Sequence, residues 1–169
     1  TEPLVMPGKV YIFGGGHVAQ RLVPCLASCD FRCVVIEDRA DFADPELFGG
    51  LAETRLVPID ELAGLAPELT PDDYVCVMTR GHRSDYECIF SMLKSRACYI
   101  GVIGSRSKIA ALKTRLSEDG VTEEEMKRLV APIGIEIYSE TPAEIAVSVT
   151  AQLIMTRAVK NGSRKAAKH

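Results

Sequence analysis

Four short and almost entirely apolar segments, separated by helical patterns, constrain the fold of this chain more than any other feature. They are KVYIF, CVVIE, YVCVM and YIGVI, at residues 9–13, 33–37, 74–78 and 99–103. Segments that are apolar on both faces are typical of strands that helices cover from both sides. Strands that alternate with helices form a parallel sheet with right-handed crossovers. The sequence therefore predicts an α/β protein with a Rossmann-like, doubly wound parallel sheet in a single domain.

The predicted helices have recognisable start signals. A capping box, which is Ser or Thr followed three residues later by Glu, occurs at Ser84, Thr122 and Thr141. Pro142 takes the first helical position, where a missing N–H costs nothing. We expect helices at about 16–28, 85–96, 105–118, 123–130 and 142–158, and a shorter strand at 54–58.

Length and charge limit the classes of function. The 169 residues predict one domain at 1–159 and a frayed basic tail at 160–169, with a functional basic arm as the alternative. The net charge of -3 argues against nucleic-acid binding. No apolar run reaches the roughly 20 residues of a membrane span, and the N-terminus has no signal-peptide pattern. We therefore expect a cytoplasmic protein. The first residue is Thr1 and not Met, so the question whether further sequence precedes it stays open.

The six cysteines do not have the spacing of a metal site. Cys25, Cys29 and Cys33 have three residues between successive members, unlike the paired spacing of zinc sites. We expect small buried thiols in a reducing compartment, with a metal or persulfide role as the alternative, and we assign no metal ligands.

The first of three loops that follow strands is a glycine turn. Residues 14–19, GGGHVA, fit the pattern G-x-G-x-x-A, which lets backbone N–H groups approach a phosphate at a helix N-terminus. Glu37 and Asp38 end the second strand, where a carboxylate accepts hydrogen bonds from ribose hydroxyls. Arg39 follows and suits a 2′-phosphate instead, so the choice between NAD and NADP stays open. His17 either contacts the ligand or only lies at the end of the turn, without a ligand contact.

The second and third turns carry cations. Residues 79–85, TRGHRSD, place two arginines and a histidine after a strand, and we expect Ser84 to cap the next helix. In the third turn Ser105 is the expected cap, while Arg106 and Lys108 oppose the helix dipole. A bound anion would make the electrostatic energy of these two cations at the helix N-terminus favourable. The alternative is that both side chains are simply solvated. We expect the three turns to converge on one crevice for a ligand with several phosphates.

Three longer motifs resemble one known family. They are TRGH at 79–82, GSRSK at 104–108 and TPAEIA at 141–146. With the glycine turn, they make residues 9–157 similar to the C-terminal Rossmann domain of the XdhC/CoxI family, which matures molybdenum hydroxylases such as xanthine dehydrogenase. The resemblance implies an accessory protein or chaperone, more than a catalyst. It would bind the molybdenum cofactor, promote its sulfuration with a cysteine desulfurase, and deliver it to the apo-hydroxylase.

The resemblance also implies a ligand, a pyranopterin phosphate (molybdopterin or its dinucleotide form). No catalytic residue is assigned, and Glu144 is either a helix cap or a ligand contact. The predicted cofactor-binding residues are Gly14, Gly15, Gly16, His17, Glu37, Asp38, Thr79, Arg80, Gly81, His82, Gly104, Ser105, Arg106, Lys108 and Glu144.

The chain departs from the family pattern in four respects. The family's additional N-terminal domain is not part of this sequence; either a separate chain supplies it or it has been removed from a longer chain. Tyr138 and Ser139 stand where small residues are usual, Glu37 replaces Asp, and Gln152 replaces Glu.

Other functions and assemblies also fit these residues. One is an NAD(P)-dependent oxidoreductase with His17 or His82 as proton donor, and another is a nucleotide-sensing regulatory module. The apolar stripe of the last helix, formed by Ile145, Val149 and Leu153, faces either the core or a second subunit of a homodimer.

Overall fold

The fold is built on six parallel strands in the order β3-β2-β1-β4-β5-β6. The computed structural model describes residues 8–166, with only the backbone for His82 and for residues 163–166. The predicted single-domain, Rossmann-like parallel sheet is confirmed. The strands are β1 (Lys9–Phe13), β2 (Arg32–Glu37), β3 (Ala52–Leu56), β4 (Tyr74–Val77), β5 (Tyr99–Val102) and β6 (Leu129–Val130).

The helices occupy the crossovers between the strands. The sequence missed the 3₁₀ segments and β6, and its prediction of helix up to residue 130 was wrong because α4 ends at Met126. The α-helices are α1 (His17–Ser28), α2 (His82–Met92), α3 (Arg106–Glu118), α4 (Glu123–Met126) and α5 (Pro142–Ala166), and the 3₁₀ segments are Ala40–Phe42, Pro45–Phe48 and Ile59–Glu68.

The last helix, α5, is longer than the sequence predicted. It includes residues 160–166 of the predicted basic tail, while 167–169 lie outside the described residues, as does the start of the chain at 1–7. None of the helices within residues 8–166 has the length and apolar character that crossing a bilayer requires.

Two apolar layers cover the sheet. One cluster joins one face of the sheet to α1 and α5, and the other joins the opposite face to α2, α3 and Ile59–Glu68. Val149 and Leu153 of α5 are fully buried and Ile145 is half-buried in the first cluster. Val149 and Leu153 are therefore core residues, and Ile145 packs against the edge of the same core.

The helix starts agree with the sequence at two of three capping boxes. The boxes at Thr122 and Thr141 are confirmed, since each Thr hydroxyl accepts the N–H of the Glu three residues later and that Glu accepts the Thr N–H. The box at Ser84 was wrong. The cap of α2 is Gly81, whose extended backbone makes His82 the first helical residue and leaves Ser84 in the first turn.

The cysteines occupy several environments, and all six are free thiols. Cys33, Cys76 and Cys88 are buried as expected, and burial raises the pKa of Cys33 to about 12. Cys98 is exposed, contrary to the expectation of a buried thiol, because β5 begins only at the next residue.

One arginine ties the edge strand β6 to the end of α2. The Arg128 guanidinium donates to the carbonyl oxygens of Leu93, Ser95 and Ala97 at 2.8, 2.9 and 2.9 Å. Charge-assisted hydrogen bonds of this kind are each worth about 1.5–3 kcal/mol.

Arg128→Met should lower the free energy of unfolding by about 2–3 kcal/mol, because carbonyl groups of a half-buried turn lose their donors. The matched control is Lys127→Met, since the Lys127 side chain is 72% exposed and its ion pair should contribute less than about 0.5 kcal/mol. Urea denaturation of both variants measures the difference. Equal stability of the two variants would show that Arg128 does not fix this junction.

Candidate ligand-binding crevice

A cavity of about 210 Å³ opens at the carboxyl edge of the sheet, over β1, β2 and β4. The crossovers leave β1 and β4 toward opposite faces, so this is the topological switch point at which open α/β sheets bind ligands. Its lining consists of Phe13, Gly14, Ile36, Glu37, Asp38, Arg39, Val57, Ile59, Leu62, Thr79, Arg80, Ser84 and Cys88.

The glycine turn forms one wall of this cavity. Gly14 has φ +111°, and a Cβ there would lie 2.5 Å from the carbonyl oxygen of Met78. A Cβ on Gly15 would lie 2.2 Å from the carbonyl oxygen of Phe42. Both glycines are therefore required by close backbone packing. Gly16 differs, because a Cβ there would meet no atom within 4 Å, so its missing side chain leaves the start of α1 open.

The Glu37 carboxylate holds the glycine turn from the end of β2. Its Oε1 accepts the N–H of Gly15 at 3.1 Å, and its Oε2 accepts the N–H groups of Asp38 and Arg39 at 2.7 and 2.9 Å. The Arg39 guanidinium donates to both oxygens, at 2.8 and 3.3 Å. Glu37 is only 4% exposed, so its oxygens are committed to the protein itself.

These contacts decide the charge state of the acidic pair. Burial raises the pKa of Glu37, but the hydrogen bonds from Arg39 and the backbone outweigh it and hold the pKa at about 2. The neighbouring Glu37 carboxyl raises the pKa of the exposed Asp38. Glu37 is therefore a buried anion, and Asp38 is the acid that remains accessible to a ligand.

Arg39 is held on two sides. Besides its ion pair with Glu37 at 2.8 Å, its guanidinium carbon lies 3.9 Å from the centre of the Phe42 ring. A 2′-phosphate would have to compete with both contacts. These two contacts indicate that Arg39 has a structural role in this loop.

The two helices beside the cavity begin without a capping side chain. The N-caps of α1 and α2 are Gly16 and Gly81, and neither helix has a side-chain hydrogen bond to its first turn at the cap. In contrast, Ser105 caps α3 and Thr141 caps α5. Among the described residues, the glycine caps on either side of the switch point thus leave first-turn N–H groups without a capping side chain, which is typical of an anion site.

The second turn joins the first at this cavity. Thr79 and Arg80 line it, and Asp85 fixes the turn by accepting the N–H of Thr79 at 3.0 Å as well as its hydroxyl. The Arg80 side chain is exposed. The second turn therefore brings a cation to the mouth of the cavity.

The third turn faces a neighbouring space. Lys108 lines a second cavity of about 240 Å³ between α2 and α3, together with Asp85, Tyr86 and Arg115. Ser105 accepts the N–H of Lys108 as the cap of α3, as the sequence predicted. Arg106 is exposed and lines neither cavity. The first two turns therefore share one cavity, and the third lies beside the next cavity along the same edge of the sheet.

The remaining predicted residues lie around the same edge. His17 is exposed in an open depression with Arg21 and Thr141, between the starts of α1 and α5. Glu144 accepts the N–H groups of Glu140 and Thr141 at 2.9 and 3.0 Å, so it caps α5. Gly81 begins α2, the side chain of His82 lies outside the described atoms, and Gly104 directly precedes the cap of α3.

Two of the departures from the family pattern have a structural setting. Gln152 accepts the hydroxyl of Tyr99 and the N–H of Gly134 and donates to the Gly134 carbonyl, which an ionised carboxylate would not do. Tyr138 is 86% exposed with φ 57°, and it lines neither of the two cavities.

Sequence reasoning missed part of the cavity lining. Ser84 was assigned to a cap, and Cys88 was considered only as a core thiol, yet both line the cavity. Ile59 and Leu62 of the 3₁₀ segment also line it. The i, i+3 spacing of apolar residues at 59, 62 and 65 was a signal that could have predicted this segment.

The strand order, the glycine turn and the uncapped helices define a Rossmann-type domain with an anion-binding edge. The sequence profile of the XdhC Rossmann domain matches residues 10–153. The chain therefore belongs to the XdhC family, as its motifs predicted.

Three proteins that are similar to this chain are all longer than it. It is 30% identical over 154 residues to the uncharacterized protein YqeB of Escherichia coli K12, covering 90% of this chain and 28% of that protein. A Bacillus subtilis protein described as a probable subunit of xanthine dehydrogenase is 26% identical over 149 residues, covering 88% and 43%. The crystal structure of a Bacillus halodurans protein described as a xanthine dehydrogenase superposes with a TM-score of 0.78 at 27% identity, covering 90% and 43%. The chain thus spans less than half of each relative.

Glu37→Gln should destabilise the fold at pH 7 by about 2–3 kcal/mol, because the amide cannot accept all the N–H groups that the carboxylate accepts. The lowered pKa of Glu37 gives stability that is complete above the ordinary pKa of 4.5 and is lost as the pH falls toward 2. The difference between wild type and variant should therefore shrink over this range in urea denaturation.

The matched control for this prediction is Glu53→Gln. Glu53 also pairs with an arginine two residues away, Arg55 at 3.3 Å, but its side chain is 52% exposed. Such a surface pair contributes less than about 1 kcal/mol. Equal losses in the two variants, or a Glu37→Gln loss independent of pH between 4.5 and 2, would contradict the role assigned to Glu37.

Proposed function

We propose that this chain binds the molybdenum cofactor, as molybdopterin or its dinucleotide form, at the crevice between α1 and α2. In this proposal it is an accessory protein of the cytoplasm. It holds the cofactor for sulfuration by a cysteine desulfurase and passes it to the apo-form of a xanthine dehydrogenase-type molybdenum hydroxylase. The cofactor supplies the metal chemistry; this chain binds, orients and shields it.

The observation that carries the proposal is the pair of uncapped helix N-termini beside an exposed arginine. The first turns of α1 and α2 present N–H groups at neighbouring strands, and each N-terminus carries about half a positive charge. Arg80 adds a full charge at the same edge. Phosphate groups satisfy all three, because they accept several N–H bonds and pair with guanidinium.

The cavity fits one ring system of such a ligand. Its volume of about 210 Å³ lies below the roughly 300–1,000 Å³ of sites that enclose a whole small molecule. Its floor is apolar, from Phe13, Ile36 and Leu62, and Asp38 lies at its rim. We infer that one flat ring enters the cavity, and that the phosphates run along the edge between α1 and α2.

The names of the relatives support the proposed client. Two of the three similar proteins are described as a xanthine dehydrogenase or as a probable part of one. This chain spans 43% of each, so a further part of those proteins lies beyond the region that matches. We propose that a separate N-terminal-type XdhC domain supplies that part and completes the shield around the cofactor.

The second candidate is binding of a dinucleotide such as NAD, either for hydride transfer or for sensing. The strand order with a switch point between β1 and β4 favours it. Because Arg39 is held by Glu37 and Phe42, this candidate predicts NAD rather than NADP. Calorimetric titration separates the candidates: micromolar NAD binding by a chain that carries no pterin would favour the second.

Arg80→Ala should reduce the retained cofactor at least tenfold, because a charge-assisted bond to phosphate of about 1.5–3 kcal/mol is lost. The variant and the wild type would be purified from cells that make the cofactor, and the bound pterin measured by its fluorescence after oxidation. The matched control is Arg83→Ala, since Arg83 is exposed in the first turn of α2, its side chain does not line the cavity, and the substitution keeps its backbone N–H.

Two results would overturn the proposal. One is a wild-type chain that retains no pterin from these cells. The other is an equal loss of pterin in the Arg80 and Arg83 variants, which would indicate that only the net positive charge of the surface matters.

A further inference from the structure

The outer face of α5 is apolar over most of its length. Several exposed residues follow one another at spacings of three and four along this helix, so they lie on one side of it. Val147, Ile154, Met155 and Val159 are 54%, 37%, 56% and 69% exposed. Ala151 is half-buried and Ala158 is exposed on the same side. We call these six residues the α5 face.

The α5 face carries no charged side chain. Between residues 145 and 162 the sequence of α5 contains two charged residues, Arg157 and Lys160. Arg157 donates to the carbonyl of Cys29 and lies over the Phe31 ring, and Lys160 pairs with Asp72 at 2.8 Å. Both side chains therefore turn toward the body of the domain. The α5 face, from Val147 to Val159, therefore spans 13 residues, or about 20 Å of helix, without a charge.

The two ends of the helix carry opposite charges. Glu140 and Glu144 lie at its start, and Arg164 and Lys165 are the residue types of its last turn. Ile154 stands ten residues from both Glu144 and Arg164. Two copies of the helix that cross antiparallel at Ile154 would place the acidic end of each beside the basic end of the other. A parallel pair would place like charges together.

We propose that the α5 face binds a second copy of this chain, forming a two-fold symmetric homodimer through antiparallel packing of α5. A two-fold interface requires a patch that complements itself, and an uncharged face with opposite ends meets this requirement. Ala151 and Ala158 let the two backbones approach closely. The interface is independent of the crevice, so the proposed function does not depend on it.

The size of the face sets the strength of the dimer. A strip about 20 Å long and one helix wide covers roughly 200 Å² of each copy, well below the ~800 Å² of a standard interface. Leu47, 37% exposed, and Ala143 adjoin the strip in the depression at the start of α5 and enlarge it. The dimer should therefore be weak, with association visible only in the micromolar range of concentration or above.

Sedimentation equilibrium over a wide range of concentration tests this interface. The wild type should move from 18.4 kDa to twice that mass in the micromolar range. Ile154→Glu and Met155→Glu should each weaken association at least 30-fold, because a two-fold axis places two copies of the new charge in the contact. The control is Leu56→Glu, since Leu56 is 57% exposed on the edge strand β3 and should leave the dimer unchanged. Circular dichroism verifies that each variant folds.

Cysteine cross-linking tests the direction of the helices, in a Cys98→Ser background that removes the exposed thiol. Ile154→Cys should form an intermolecular disulfide under mild oxidation, because residue 154 meets itself at the two-fold axis. Val147→Cys should not, because antiparallel packing separates its two copies. A wild type that stays monomeric, a dimer unaffected by both glutamate variants, or equal cross-linking at 147 and 154 would overturn the proposal.

Discussion

The hydrogen bonds of the buried Glu37 carboxylate are the interaction on which the candidate site depends. This group accepts five hydrogen bonds, and they join the glycine turn after β1 to the loop after β2. An ionised carboxylate is the side-chain group that accepts so many donors at once. By holding the N–H of Gly15, Glu37 fixes the backbone that leads into α1, and so fixes where the open N-terminus of α1 lies.

This arrangement gives Glu37 and Asp38 different roles. In the usual dinucleotide fold the acid at the end of the second strand contacts the ribose. Here the buried oxygens of Glu37 serve the protein, and the exposed Asp38 is left for the ligand. The edge then combines one accessible acid with the uncapped starts of α1 and α2 and with Arg80. Such a set binds a ligand that has both phosphate groups and hydrogen-bond donors.

Much of the fold could be predicted from the sequence because its signals are local. The apolar runs of β1, β2, β4 and β5 need no long-range information, and neither do the capping boxes at Thr122 and Thr141. The strand β6 has two residues and therefore no periodicity to detect. Ser84 matched a capping pattern, but the start of α2 at Gly81 is decided by the turn that Asp85 holds.

The candidate site was predictable in its residues but not in its contacts. The sequence placed Gly14, Glu37 and Arg80 at strand ends, and they do line one cavity. It could not tell that Glu37 binds a backbone N–H 22 residues earlier, because that contact depends on how closely two loops pack. It also could not tell that α2 and α3 enclose a separate cavity for Lys108, since helix spacing is set by side chains across the sheet face.

Titration of the ¹⁵N-labelled chain with inorganic pyrophosphate, followed by amide chemical shifts, tests the central claim most directly. If the starts of α1 and α2 are both open to an anion, the largest saturable shifts should fall on the amides of residues 16–18 and 81–83. The capped starts of α3 and α5 should change little. Shifts of equal size at all four helix starts, or shifts confined to residues 105–108, would contradict the account.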